Sequence, residues 1–271
     1  MKNVFAIFLS LLILLSAAAC SSAPKSDENI ELIVFAAASM TETLEDISVL
    51  YANVAPNVTL LFNFESSGTL KTQIQEGAEC DLFISAGQRQ VDQLDITASP
   101  DVNTEGLDFI LTDTRVDLLE NTVVLAVPNG NPRGIRSFDD MATALKNGDI
   151  LMAIGNSDVP VGQYTLSIFE YFGLNEDTLA GVLTYGSNVK EVTTHIAEAS
   201  VDCGIVYSTD AFSAGLDIVD TATTEMCGQV IYPAAVLNVS KQTDAALAFL
   251  DYLKSDEAMA VFAGVGFSPA A

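Results

Sequence analysis

The sequence predicts an α/β protein of two lobes, each a mainly parallel sheet with helices on its faces. Three observations predict it. From Glu31 on, short apolar runs alternate with segments whose apolar residues recur at helical spacing. The alternation lapses across residues 96–117 and then resumes as a second series. About 240 residues lie beyond the leader segment, room for two lobes of roughly 120 residues each.

ELIVFAA (31–37) has the continuous apolar character of a strand buried on both faces, and Met40, Leu44, Ile47 and Tyr51 follow at spacings of four, three and four, one face of a helix. VTLLFNF (58–64) is the next strand, and the helix after it carries Leu70 and Ile74 and stops near Gly77. DLFISAG (81–87) begins a third unit, and three β–α repeats imply a parallel sheet. TVVLAVPNGNP (122–132) is a strand ended by Pro128 and a glycine-containing turn. The second series is helix SFDDMATALKNG (137–148), strand ILMAIGN (150–156), helix GQYTLSIFEYFG (162–173), strand VLTYG (182–186), helix NVKEVTTHIAEA (188–199) and strand GIVYS (204–208). Strand VIYPAAVL (230–237) and helices TDAALAFLDYLK (243–254) and SDEAMAVFAGVG (255–266) close the chain. The expected division is a first lobe over 31–118, completed by 238–271, and a second lobe over 119–237 that includes the hinge strands.

Residues 1–19 carry one charge, Lys2, an apolar stretch from Val4 to Leu15, and Ala17, Ala18 and Ala19 ahead of Cys20, the pattern of a signal peptide. Cleavage before a cysteine is what bacterial lipoproteins use, so Cys20 is expected to carry a lipid and residues 20–30 to form a polar tether; a plain secretory leader is the alternative. The apolar stretch falls short of the roughly 20 residues that span a bilayer. The folded chain is therefore expected outside the cytoplasm, lipid-anchored to the cell membrane.

Eleven basic residues stand against thirty-six acidic ones, a formal charge of −25, and removal of the leader takes Lys2 as well. Such a charge excludes nucleic acid as a partner and opposes docking on anionic lipid. The acidic residues are spread along the chain, as on a solvated surface. Beyond Cys20 there are Cys80, Cys203 and Cys227, no CxxC and a single histidine, so zinc-type sites are not supported. An exported chain permits a disulfide, for which Cys203 and Cys227 are the candidates because both precede β-like runs in the same half. Cys80 is then a buried, inert thiol.

In sheets of this kind ligands bind beyond the carboxyl ends of the strands, where helix starts point their N–H groups outward. Ser39 in FAAASMTETLEDI and Ser67 in FNFESSGTLKTQI occupy that position. So does DVPVGQY (158–164), where Pro160 presets the backbone and Val161 and Gly162 keep free N–H groups. GSNVKEV (186–192) opens another helix, and Tyr207 ends a strand. Singly, each has a plainer reading: a serine before a helix is an ordinary N-cap worth about 1 kcal/mol, and a tyrosine ending a strand is ordinary core. Together they can converge on one ligand. Glu65, beside the second serine turn, is expected to point away from an anion. Catalytic patterns are missing: FESSG is not GxSxG, Lys71 follows Ser67 by four rather than three, and His195 lies on a helix face beside Val189, Val192 and Ile196.

FAAASMTETLEDI, FNFESSGTLKTQIQEGAECDLFISAG, DVPVGQYT and CGIVYSTDA together resemble the periplasmic molybdate-binding proteins of ABC importers, over the chain from about residue 31 to its end. Members of that family show an A-A-S turn, a serine-rich turn followed by T-L, a Q-I-x-x-G-A-x-x-D-[LV]-F-I-S-A stretch, a V-P-x-G-x-Y turn and a G-I-V-Y strand, in this order. The resemblance implies a class II periplasmic-binding-protein fold: a monomer of two α/β lobes joined by hinge strands, closing on molybdate or tungstate and delivering it to an ABC permease. It implies no cofactor, no metal-ion ligands and no enzymatic activity. It further implies that Ser39 and Ser67 donate through hydroxyl and backbone N–H, Val161 and Val189 through backbone N–H, and Tyr207 through its hydroxyl. Valine replaces the alanine common at 161, which a backbone donor tolerates, while Asn188 and Lys190 depart from the pattern around Val189. The alternatives are a receptor of the same fold for sulfate or a carboxylate, a sensor, and a lipid-anchored serine hydrolase. A carboxylate receptor would want an arginine fork, and Arg89, Arg115, Arg133 and Arg136 all lie outside the matched turns.

Overall fold

A computed structural model describes residues 29–270; the leader and Cys20 lie outside them. The two series of strands form two sheets. In the first, β1 (Ile30–Ala37), β2 (Val58–Glu65) and β3 (Leu82–Ile84) run parallel. β4 (Val116–Asn121), β10 (Val230–Val236) and β11 (Ser268–Pro269) extend that sheet, in the order β11-β4-β10-β3-β1-β2. The second sheet holds β5 (Val123–Val127), β6 (Met152–Gly155), β7 (Leu183–Gly186), β8 (Cys203–Tyr207) and β9 (Asp217–Thr221), in the order β7-β6-β8-β5-β9. β6, β7 and β8 are parallel, while β5 runs antiparallel to both its neighbours.

Apolar patterning accounts for strand placement. β5, β8 and β10 are buried at every residue, as central strands covered on both faces must be. β2 is an edge strand, and its Leu61 is exposed. β9, which the sequence reading passed over, is an edge strand too; DIVDT buries none of its residues fully and so lacks a core signature.

In the first lobe, a 3-10 turn at Ala38–Met40 leads into α1 (Thr41–Val54), and α2 (Ser67–Gln75) and α3 (Gln88–Asp92) follow β2 and β3. Met40, Leu44, Ile47 and Tyr51 are all buried, as their spacing predicts. In the second lobe, α4 (Phe138–Asn147), α5 (Pro160–Tyr171), α6 (Glu176–Leu179), α7 (Val189–Ala197), α8 (Ser208–Ser213) and α9 (Thr224–Cys227) surround the sheet. α10 (Thr243–Leu253) and α11 (Asp256–Val265) return to the first lobe, where α10 packs on β10 and α11 on α1.

The chain passes between the sheets at Thr122, which separates β4 from β5, and again through residues 222–229 ahead of β10. The expected limit at 118 falls inside β4, and β10, assigned above to the second lobe, pairs with β3 and β4 of the first sheet. One strand and the next are therefore separated by a single residue at the first crossing, a short and well-defined hinge.

The expected Cys203–Cys227 pair is not formed, and Cys80, Cys203 and Cys227 are free thiols. Cys203 is fully buried in β8, where burial first and the neighbouring Asp202 second push its thiol well above the usual range. Cys227 ends α9, which packs on α5, and its sulfur faces the Thr223 and Gly228 carbonyls. Preceding a strand places the two cysteines in sequence only; their strands belong to different sheets.

Candidate functional site

The carboxyl ends of β1, β2 and β3 face those of β6, β7 and β8, and a small, nearly filled cavity lies between them. Its walls include Ser39, Ser67 and Ala86 from the first lobe and Pro160, Val189 and Tyr207 from the second. Four of the five sequence candidates, Ser39, Ser67, Val189 and Tyr207, thus meet at one place. The fifth, Val161, is completely buried directly behind Pro160.

Neither candidate serine caps a helix. The cap of α2 is Ser66, whose Oγ accepts the Thr69 N–H at 3.1 Å. Ser67 occupies the first helical position, fully buried, and its Oγ accepts the Ala86 N–H at 2.9 Å. Its own proton remains available. Ser39 sits inside the 3-10 turn, and its Oγ lies 3.0 Å from the Tyr232 hydroxyl. The ordinary cap reading is thereby removed for both.

The backbone supplies further donors. Ser39, Ser67, Val161 and Val189 all fall at the start of a helix or turn, where N–H groups have no intrahelical acceptor, and among the described residues none of the four finds another. Val161 reaches its place because Gly162 lets α5 press onto the end of β6: a Cβ at 162 would come within 2.4 Å of the Gly155 carbonyl oxygen. The Tyr207 hydroxyl, fully buried, points at the Ala86 carbonyl oxygen across a long 3.3 Å bond, and burial holds its ionisation far above the usual phenol range. It is therefore a neutral donor at any physiological pH. Apart from Glu65, the cavity is surrounded by neutral donors on an apolar frame of Ala37, Ala38 and Val159.

No arginine lines the cavity, and Arg115, Arg133 and Arg136 are paired with Asp92, Asp202 and Asp140 elsewhere. His195 stands apart, with Nδ1 3.2 Å from the Ser200 hydroxyl. Glu65 does not turn away as expected. It borders the cavity and accepts a hydrogen bond from Asn188 Nδ2 at 3.3 Å across the cleft, which fixes its charge on a partner of the other lobe.

Similarity to known proteins matches this geometry. The model of the bacterial extracellular solute-binding proteins fits residues 32–268. The chain is 32% identical to YvgL of Bacillus subtilis (strain 168), named as an ABC transporter substrate-binding lipoprotein, across 99% of both chains. It is 33% identical to the molybdate-binding protein ModA of Escherichia coli (strain K12), across 88% of this chain and 89% of the relative. A solved structure of the substrate-binding domain named for a molybdenum ABC transporter of Clostridium difficile superposes with a TM-score of 0.64 at 30% identity, covering 89% of this chain and all of that one. The chain belongs to the bacterial extracellular solute-binding proteins.

The two lobes meet across the cavity. Gln90 Nε2 donates to Gln163 Oε1 at 3.3 Å, and Lys190 Nζ lies 2.8 Å from Glu42 Oε2. Lys190 directly follows Val189, and Glu42 lies one turn beyond Ser39, so an ion pair joins the two walls of the cavity. Lys190 also contacts Asp210 at 3.3 Å. Asp210 is buried, neither of its carboxylate oxygens has a hydrogen bond among the described residues, and burial outweighs Lys190 to raise its carboxyl to about 6. Burial opposes the charge of Lys190, but the pull of Asp210 and Glu42 prevails and its ammonium is held above its usual range.

At Gly68 the lobes approach closely. A Cβ there would lie 2.2 Å from the Asp158 carbonyl oxygen of the second lobe. Gly68→Ala should therefore hold the lobes apart, lowering ligand affinity at least about tenfold while leaving the melting temperature of the ligand-free protein nearly unchanged, as alanine suits a first helical turn. Calorimetric titration beside thermal unfolding checks both halves; unaltered affinity would mean that the close approach is not needed for binding.

Asp210 yields a pH expectation. Its folded value, about 6, exceeds its ordinary value of 3.8, so the native state retains a proton that the unfolded chain releases in between. That contribution to stability is full below about pH 4 and is lost as pH rises through 6. The unfolding free energy of Asp210→Asn minus that of the wild type should accordingly grow in favour of the variant between pH 4 and 7, by about 1–3 kcal/mol. Loss of the Lys190 partner shifts the whole curve without altering this slope. Urea unfolding at four or five pH values measures it, and parallel curves would refute it.

Proposed function

We propose that this protein captures a tetrahedral oxyanion, molybdate or tungstate, between its lobes outside the cytoplasm and delivers it to the permease of an ABC importer. The observation that carries the reading is the donor set. N–H groups of Ser39, Ser67, Val161 and Val189 and hydroxyls of Ser39, Ser67 and Tyr207 border or back one small cavity that contains no basic side chain. An unprotonated oxyanion accepts hydrogen bonds on every oxygen and donates none, which is the complement of such a set. Helix starts add about half a positive charge each, so a dianion is stabilised without a lysine or arginine in contact. Release then requires no separation of a direct ion pair with the ligand, only reopening of the lobes.

The names of the relatives support the same reading: ModA for molybdate, the Clostridium difficile domain for a molybdenum importer, and YvgL for a lipoprotein, in keeping with a lipid on Cys20. A carboxylate ligand is disfavoured by the arginines, three of which are engaged with carboxylates away from the cavity. Sulfate, smaller than molybdate, would leave donors short of its oxygens.

Molybdate or tungstate should raise the melting temperature of the protein, with sulfate and phosphate at equal concentration and ionic strength giving little shift. Binding to the native state alone stabilises it by about 4 kcal/mol at a thousandfold excess over the dissociation constant. Equal shifts with all four anions would reject the assignment.

Charge sets the kinetics. The acidic surface repels an approaching dianion at long range, while the site holds it through short-range dipoles. The Debye length falls from about 30 Å at 0.01 M salt to about 8 Å at 0.15 M, so association should speed up as inert chloride is added while dissociation changes much less. Stopped-flow measurements over this range decide it; association that slows with salt would show that local positive potential overrides the surface.

A further inference from the structure

Tyr232 was invisible in the sequence as anything but a core aromatic of β10, yet its hydroxyl ends 3.0 Å from Ser39 Oγ. Proton positions along this contact follow from its neighbours. The Thr122 N–H, at the crossing between the sheets, can only donate, and it lies 2.8 Å from Asn121 Oδ1. That fixes the orientation of the buried Asn121 amide. Ser208 Oγ donates to the same oxygen at 3.0 Å, which agrees. Asn121 Nδ2 then faces Thr209 Oγ1 at 2.9 Å and the Tyr232 hydroxyl at 3.2 Å, and it must donate to both.

Because Tyr232 accepts from Asn121, its own proton is free for Ser39. The Tyr232 ring is fully buried and packed edge-on against Tyr207 and Phe267, with centroids 5.6 and 5.1 Å apart, and the neighbouring Tyr207 hydroxyl points its own proton at the Ala86 carbonyl oxygen. With Tyr232 donating along this contact, Ser39 Oγ accepts and its own proton is left for the cavity. Resting on the oxyanion reading given above, we propose that Tyr232, oriented by Asn121, is a positioning residue that makes Ser39 a dedicated donor to the bound anion. The relay runs from a backbone N–H at the hinge, through Asn121 and Tyr232, to the ligand-facing hydroxyl. Each bond polarises the next, so donation from Tyr232 also strengthens Ser39 as a donor. Neither Tyr232 nor Asn121 borders the cavity itself.

A double-mutant cycle tests this, with tungstate as the probe and isothermal titration at pH 7.5 as the measurement. Tyr232→Phe keeps the ring and removes the hydroxyl, and it should weaken tungstate binding by about 3- to 10-fold. Ser39→Ala should weaken it by about tenfold or more. The distinguishing result is the pair: in the Ser39→Ala background, Tyr232→Phe should change affinity by less than about twofold, because the hydroxyl it serves is gone. A loss of the same size in both backgrounds would mean that Tyr232 acts only through packing, and no loss in the wild-type background would mean that Ser39 needs no positioning; either overturns the proposal. Wild-type protein that binds neither tungstate nor molybdate would overturn the oxyanion reading and the relay with it, so the two failures are told apart by the first titration. Thermal unfolding of all four proteins without ligand accompanies the cycle. If Tyr232→Phe fails to fold, Asn121→Ser, which removes the amide that orients Tyr232, takes its place in the same cycle under the same criteria.

Discussion

Helix-start N–H groups that no helix can satisfy are the constraint around which this protein is arranged. Every α-helix leaves them, and a parallel sheet delivers them all to the same edge, because each strand ends where its following helix begins. Two such sheets placed edge to edge bring Ser39 and Ser67 opposite Val161 and Val189. The donors are backbone, so their geometry is as rigid as the elements carrying them. The side chains that join them, two serines and a tyrosine, are short or fully buried and lose little freedom on binding.

On the proposed reading, a protein this acidic holds an anion without help from its overall charge. Few basic residues are present, and Lys190, whose contacts cross the cleft, is engaged with carboxylates. Lys190 is the informative case. It follows a cavity residue in sequence, yet its ammonium reaches sideways to Glu42 and Asp210 and joins the lobes, leaving the cavity lined by neutral groups and the Glu65 carboxylate that Asn188 engages. Long-range repulsion and short-range attraction coexist because they operate at different distances: the dipoles act within a turn of helix, the surface charge over a Debye length.

Closure draws on contacts of several kinds: an ion pair at Lys190, amide bonds at Gln90 and Asn188, and backbone proximity at Gly68. The hinge at Thr122 is one residue long, and Asn121 beside it hydrogen-bonds Tyr232 of the first sheet and Ser208 and Thr209 of the second lobe. Hinge, closure and donor orientation therefore share residues. A single buried amide at this crossing touches both halves of the molecule and, through Tyr232, the cavity wall.

The strands and helices were legible in the sequence wherever periodicity was strong. Met40, Leu44, Ile47 and Tyr51 announced the buried face of the first helical segment, and the uniformly apolar β5, β8 and β10 announced central strands. Ser39, Ser67, Val161, Val189 and Tyr207 stand out as candidates because each lies at a strand-to-helix junction, a local feature. β9 was not legible, since an edge strand needs no continuous apolar run, and neither was the pairing of β4 and β10 with the first sheet, which depends on residues far away in sequence. The cysteines show the same divide: their spacing allowed a bond that the structure does not form, with Cys203 buried inside β8 and Cys227 at the end of α9. Sequence alone determined the elements, the charge and the donor-bearing turns, all of which depend on neighbours within a few residues. Tertiary structure decided that Ser66 rather than Ser67 is the cap, that Glu65 reaches across the cleft, and that Tyr232 stands behind Ser39, because a contact between residues 193 positions apart exists only once both sheets are built.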